Sequence, residues 1–241
     1  MNESDFFNPN RQTFSKPAAR LVNWDAEEAI PETQQVEEIS NSSIFFYPNR
    51  PILVPPDPNN PLDPQPDYIN SLEASGLYIA EKKYNGDNCY AYSPTEFWNR
   101  HKERHRYTPT PEVLEELNKL PTNAHYNFEL MNYRTKAIKN QLIVHCVMAW
   151  KGQPMIGKTW GDSRKILEDI IPSTNKHVIL SPIYRKGFWN LFQEADGKEI
   201  EGIILKNPKG KLVFSTTAPS SKGIEVSWML KIRKPCKKYQ F

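Results

Sequence analysis

From about residue 76 onward, apolar positions fall into short alternating or continuous runs broken by turn residues, a texture that predicts several strands and a few helices. Leu77-Tyr-Ile-Ala80 and Asn88-Cys-Tyr-Ala-Tyr92 flank the polar turn Tyr84-Asn-Gly-Asp87, and Asn-Gly between β-prone segments predicts a hairpin. Val113, Leu114, Leu117 and Leu120 recur at helical spacing behind Thr110 and Pro111, a cap and a first-turn proline, so residues 111–120 are predicted as an amphipathic helix. Further strands are predicted over 126–131, 141–150, 177–180, 202–206, 211–214 and 225–233. Helices are predicted over 163–170, capped by Asp162 and ended by Pro172, and near 187–195. Together these elements predict an α+β fold of antiparallel and mixed sheets flanked by helices.

Upstream the pattern changes. Eleven of the 21 prolines lie in the first 66 residues, a density that disfavours regular helix or central strand because proline lacks the N–H that either ladder needs. The chain is therefore read as an acidic, disordered leader (1–45), a Pro-rich extended lead-in (46–75), a catalytic-size domain (76–235) and a basic tail (236–241). Charge follows the same division. Residues 1–80 carry four Lys and Arg against twelve Asp and Glu, whereas residues 81–241 carry 27 against 16. A basic body attracts polyanions, so nucleic acid is the expected partner. There is no run of about 18 apolar residues and no basic-then-apolar N-terminus, which predicts no membrane partner and a cytoplasmic protein. Cys89, Cys146 and Cys236 are widely spaced and form no CxxC pair, so neither a disulfide framework nor a zinc cage is expected. His101 and His105 lack the glutamate that a zinc-binding helix places after its first histidine, and read as part of a solvated basic face.

Two motifs offer chemistry. Gly152-Gln-Pro-Met-Ile-Gly-Lys-Thr159 satisfies the P-loop spacing, but Trp160-Gly161 separate it from the expected helix cap at Asp162 and no aliphatic run ending in Asp accompanies it. Lys83 stands at the mouth of a turn, in Glu81-Lys-Lys-Tyr-Asn-Gly-Asp-Asn88. A covalent lysine must lose its proton, and a nearby glycine lets a phosphate approach the backbone.

The residues downstream of Lys83 give the motif its weight. In order come Trp98-Asn-Arg100, Asn127-Phe-Glu129, Leu142-Ile-Val-His-Cys-Val147, Glu201-Gly-Ile-Ile-Leu-Lys206 and Trp228-Met-Leu-Lys-Ile-Arg233. With Lys83-Tyr-Asn-Gly86 as the first motif, this series resembles the covalent nucleotidyltransferase superfamily of ATP-dependent DNA ligases, RNA ligases and capping enzymes, over about two thirds of the chain.

The resemblance implies a ligase-type, ATP-grasp-like nucleotidyltransferase fold, ATP and Mg²⁺ as cofactors, and a monomer acting on DNA or RNA with 5′-phosphate ends. It implies that Lys83 attacks the α-phosphate of ATP to form lysyl-AMP, while Lys231 and Arg233 hold that phosphate and help discharge the lysine. Glu81 would read the adenine amino group, Glu129 the ribose hydroxyls, and Arg100 the ribose or a nucleic-acid phosphate. Glu201 would bind the metal and Lys206 the phosphate. His145 stands where the family usually places an aromatic that stacks on the base. The chain stops eight residues after Arg233, so the family's usual C-terminal OB domain is not expected, and the compact size resembles viral ligases. Asn88 favours RNA as substrate. The Gly161–Leu167 stretch, a Gly-x-x-Arg-x-x-Leu pattern around Arg164, and the last motif favour DNA, which is slightly preferred. A non-catalytic nucleic-acid-binding protein and a P-loop ATPase are the rival readings.

Overall fold

The computed structural model describes residues 46–54, 66–93, 96–214 and 224–234, all within the unit Val36–Phe241. The leader (1–45) and the tail (236–241) lie outside the described residues. In chain order the elements are β1 (Asn49–Leu53), α1 (Pro66–Ala74), β2 (Ile79–Tyr84), β3 (Asp87–Ser93), β4 (Glu96–Asn99), α2 (Pro111–Leu117), β5 (His125–Met131), β6 (Gln141–Trp150), β7 (Gln153–Pro154), α3 (Trp160–Ile170), β8 (Val178–Leu180), α4 (Phe188–Gln193), β9 (Ile200–Lys206) and β10 (Ile224–Arg233). The fold is α+β, with one sheet ordered β1-β10-β9-β2 and a second ordered β4-β3-β5-β6-β7, β8 joining β6 in parallel.

Each sheet is explained by what it buries. β6 is apolar along nearly its whole length and buried at seven of its ten positions, as befits a strand paired on both sides and packed on both faces. α3 lays Trp160, Ser163 and Leu167 against it at helical spacing. The hydroxyl of buried Ser163 accepts from the Val147 N–H at 2.8 Å, pinning helix to strand. The larger core gathers β3, β5 and β6 with α2 and α3 and reaches Phe46, Leu212 and Trp228. A smaller core lies on the far side of the four-stranded sheet, where Ala80, Ile203, Leu205 and Ile232 meet Ile69 of α1 and Phe188, Leu191 and Phe192 of α4.

Four expectations are corrected. The Tyr84–Asp87 turn is not a hairpin: β2 pairs with β9 and β3 with β4 and β5, so the chain crosses from one sheet to the other at Asn85-Gly86. Residues 46–75 are not uniformly extended. Asn49–Leu53 pairs in parallel with β10 as an edge strand, where proline is tolerated, and α1 begins at Pro66, with Pro in a helix's first turn, where its missing N–H costs nothing. Residues 211–214 form only an isolated bridge, Lys211 to Thr159. Finally, α3 starts at Trp160 rather than Ser163. Its N-cap is Thr159, and Asp162 is the third helical residue of a reciprocal capping box.

Candidate active site

The two sheets face each other across a pair of adjoining clefts, of about 710 Å³ and about 360 Å³, which share Lys83, Asn88, Arg100, Glu129 and Arg233 in their walls. All nine site residues expected from the sequence line one or both. Strand pairing brings them together. Lys83 of β2, Gly202 of β9 and Arg233 of β10 occupy one rung of the four-stranded sheet, although they are up to 150 positions apart in the chain.

Glu201 is placed by a defect in that ladder. Lys83 pairs with Gly202 and the next residue, Tyr84, pairs with Ile200, which leaves Glu201 as the extra residue of a bulge. A bulge re-aims a side chain that would otherwise point to the opposite face. Gly202 makes this possible: its φ is +151°, and a Cβ there would lie 2.0 Å from the Ile232 carbonyl oxygen. The Glu201 carboxylate thereby accepts from Lys83 Nζ at 2.5 Å, and the same Oε2 lies 3.3 Å from Arg233 Nε. Lys231 shares the smaller cleft. Burial, then the like charges of Arg233 and Arg50, hold its ammonium below the ordinary lysine range.

The floor of the smaller cleft is a buried charge cluster. Glu81 and Lys206 are each 3% exposed and pair at 2.8 Å, and Arg164 Nη1 from α3 lies 3.6 Å from the other Glu81 oxygen. Lys206 Nζ also sits over the Trp160 ring, 4.7 Å from its centre. Both carboxylate oxygens of Glu81 are thus engaged by cations, and Lys206 reaches the cleft from beneath. On the opposite wall Glu129 accepts from the Gly86 N–H at 2.9 Å, and His145 Nε2 lies 3.4 Å away, a donor in the tautomer that carries its proton there. Burial works against ionisation of Glu129, but the bond from His145, the charges of His145 and Lys83 and the Gly86 N–H prevail and hold its pKa below the ordinary range.

Mg²⁺ can be tested against these donors. No cluster of three Asp, Glu, His or Cys occurs among the described residues, so no all-protein cage exists there. Glu201 and Glu129 are nevertheless carboxylates in the larger cleft. One or two carboxylates completed by phosphate oxygens and water is how Mg²⁺ is commonly held, so the donor set fits an ion that arrives with its nucleotide.

The P-loop spacing at 152–159 does not build a phosphate cradle. Residues 151–152 turn between β6 and β7, which pair antiparallel. The N–H groups that a P-loop would aim at phosphate are spent within the protein: Gly152 donates to Asn123, Met155 to Met148, Gly157 to Leu212, Lys158 to Met155 and Thr159 to Asp162. Thr159 does open the helix directly, contrary to the sequence reading, but its hydroxyl is occupied by Asp162.

Sequence reasoning missed Arg50, which reaches the smaller cleft from edge strand β1 and pairs with Glu225 at 2.7 Å. It also missed Tyr133 and Arg134 in the larger cleft. Arg134 bonds to Asp87 and to the Gly86 carbonyl. No local pattern announces these residues. His101 lies in the turn after β4 and His105 on the segment that returns beside that strand, neither of them on a helix. The thiols of Cys89 and Cys146 are buried and pushed up, the latter to about 12, by that burial, which leaves them unreactive. Cys236 lies outside the described residues.

No protein-family model and no curated protein sequence matches the chain. Among solved structures, it is similar to a Lig E DNA ligase, at 12% identity and a TM-score of 0.46 over 66% of this chain and 62% of that one. The ligase domain of LigD from M. tuberculosis matches at 13% identity and 0.47, over 65% of this chain and 53% of that one. Chlorella virus DNA ligase-adenylate matches at 13% identity and 0.43, over 79% and 69%. The chain thus spans between half and two thirds of the length of the first two. No helix among the described residues is long and apolar enough to cross a membrane.

Proposed function

We propose that the chain is an ATP-dependent polynucleotide ligase that forms lysyl-AMP on Lys83 and seals 5′-phosphate to 3′-hydroxyl ends, with DNA slightly preferred. The observation that carries this reading is the rung Lys83, Gly202, Arg233, with Glu201 turned onto it by the bulge. A lysine, a carboxylate and converging cations at the junction of two clefts form a site for nucleophilic attack on a phosphate.

In this reaction Lys83 Nζ gives up a proton to solvent, and its lone pair forms a bond to the α-phosphorus. The bond from that phosphorus to the bridging oxygen breaks, and pyrophosphate leaves with the electron pair. Arg233 and Lys231 hold the phosphate oxygens, where charge builds, and Lys206 supports them from the floor. Glu129 accepts from the ribose hydroxyls, His145 lies against the base, and Glu81 faces the adenine amino group. Arg100, at the junction of the clefts, holds the ribose or a nucleic-acid phosphate. Glu201, with phosphate oxygens, would hold Mg²⁺, which supplies charge neutralisation on the phosphates when bound.

The test is incubation with ATP labelled at the α-phosphorus in the presence of Mg²⁺. A label on the protein that survives alkali but is released by hot acid, as a P–N bond is, is expected, and is lost in Lys83→Ala together with strand joining. If Lys83→Ala retains both label and joining, the reading is wrong. An RNA ligase is the second reading, favoured by Asn88, which lines both clefts and accepts from Asn127 at 3.3 Å. Joining of a nicked DNA duplex measured beside single-stranded RNA separates the two.

A further inference from the structure

Tyr133 has no part in the adenylation chemistry, yet it is the most exposed large hydrophobic side chain among the described residues, at 60%, and it stands in the wall of the larger cleft with Lys83. Its ring is stacked on His105, with centroids 6.2 Å apart and planes 26° from parallel. His105 is itself held in place, its N–H donating to the Phe97 carbonyl and its Nδ1 accepting from the Tyr107 N–H. The pair is therefore a supported aromatic platform exposed in the cleft wall. Around it, Arg100, Arg104 and Arg106 line the same cleft, are exposed, and make no ion pair among the described residues. Glu103, the carboxylate between them, is instead bonded by Asn99.

We infer that this platform stacks an unpaired nucleobase while Arg100, Arg104 and Arg106 take the flanking phosphates, so that the site receives a single-stranded stretch of nucleic acid beside the end to be joined. A flat aromatic set among unpaired cations is what a single strand requires, because every base offers a π-face and every nucleotide a phosphate. A base inside a duplex has its faces covered by its neighbours, so an intact nicked helix offers this platform nothing to stack. The inference rests on the ligase reading for its place in the reaction and narrows the substrate to ends carrying unpaired nucleotides.

Fluorescence anisotropy of the full chain tests it, using short 5′-phosphorylated single strands of DNA and of RNA beside a nicked DNA duplex. Tyr133→Ala is expected to weaken single-strand binding roughly tenfold, to leave duplex binding unchanged, and to leave labelling by ATP intact, while Tyr133→Phe retains wild-type binding. Replacing Arg104 and Arg106 by Gln is expected to lower the slope of log K against log salt by about 1.4. Single-strand binding by Tyr133→Ala equal to wild type overturns the inference, as does an equal loss on the nicked duplex. Should wild-type protein take no label while Tyr133→Ala still loses single-strand affinity, the ligase reading falls and the stacking site stands. The DNA and RNA arms separate the two sources of the strand.

Discussion

At position 86 a methyl group would have no room: a Cβ there would meet the Leu130 carbonyl oxygen at 2.5 Å and Glu129 Cγ at 2.7 Å. The closeness is what lets the Gly86 N–H reach Glu129 and hold that carboxylate over the cleft. Because the obstacle is backbone, the strand must shift to accommodate any side chain. Gly86→Ala is expected to cost about 1–3 kcal/mol, read as a lower urea midpoint, and to reduce nucleotide labelling beyond what the stability loss explains, by displacing Glu129. The glycine itself is plain in the sequence. Its reason is not, since Asn-Gly signals a tight turn equally well whether the flanking strands pair with each other or diverge into separate sheets, as they do here.

At the scale of the element, α3 answers the P-loop question. Thr159 and Asp162 satisfy each other's N–H groups in a capping box, so Thr159→Ala is expected to lower stability by about 1 kcal/mol, seen as a lower Tm. Neither it nor Lys158→Ala should alter labelling by ATP, whereas a working P-loop would lose its nucleotide with either. β5 carries a second prediction. His125 is buried, and burial lowers its pKa from 6.5 to about 4. Between those values the unfolded chain binds a proton that the folded chain does not, so this residue's contribution to stability is lost as pH drops from 6.5 toward 4 and changes no further below. In a series of urea midpoints, His125→Gln should flatten the dependence within that window. Most strands and helices after residue 76 are legible because period-2 and period-3.6 patterns are local properties, whereas β1 and α1 lie in a proline-rich stretch whose composition masks them. The α3 cap lies three residues before the one the pattern predicts, because Thr159 and Asp162 are both good caps and only the bonds made choose between them.

At the scale of the molecule, Arg164 ties α3, which packs on one sheet, to Glu81 in the other, where Glu81 pairs with Lys206. Removing one partner strands a buried charge, so Glu81→Ala is expected to cost about 3–5 kcal/mol. Glu81→Leu combined with Lys206→Met should recover much of that loss in thermal melts while still failing to bind nucleotide. Equal damage from the single and double variants would show that the cluster does not act as a pair. What the amino-acid pattern fixed alone was most strand and helix segments after residue 76, the order of the motifs from Lys83 to Arg233 and the basic character of the body. These depend on neighbouring residues and on composition. Folding in three dimensions settled the rest: which sheet each strand joins, the recruitment of Arg50 from a proline-rich segment, the bulge that turns Glu201 toward Lys83, and the meeting of Tyr133 with His105. Those are pairings across tens to hundreds of residues, set by register and shared burial, and no local pattern encodes them.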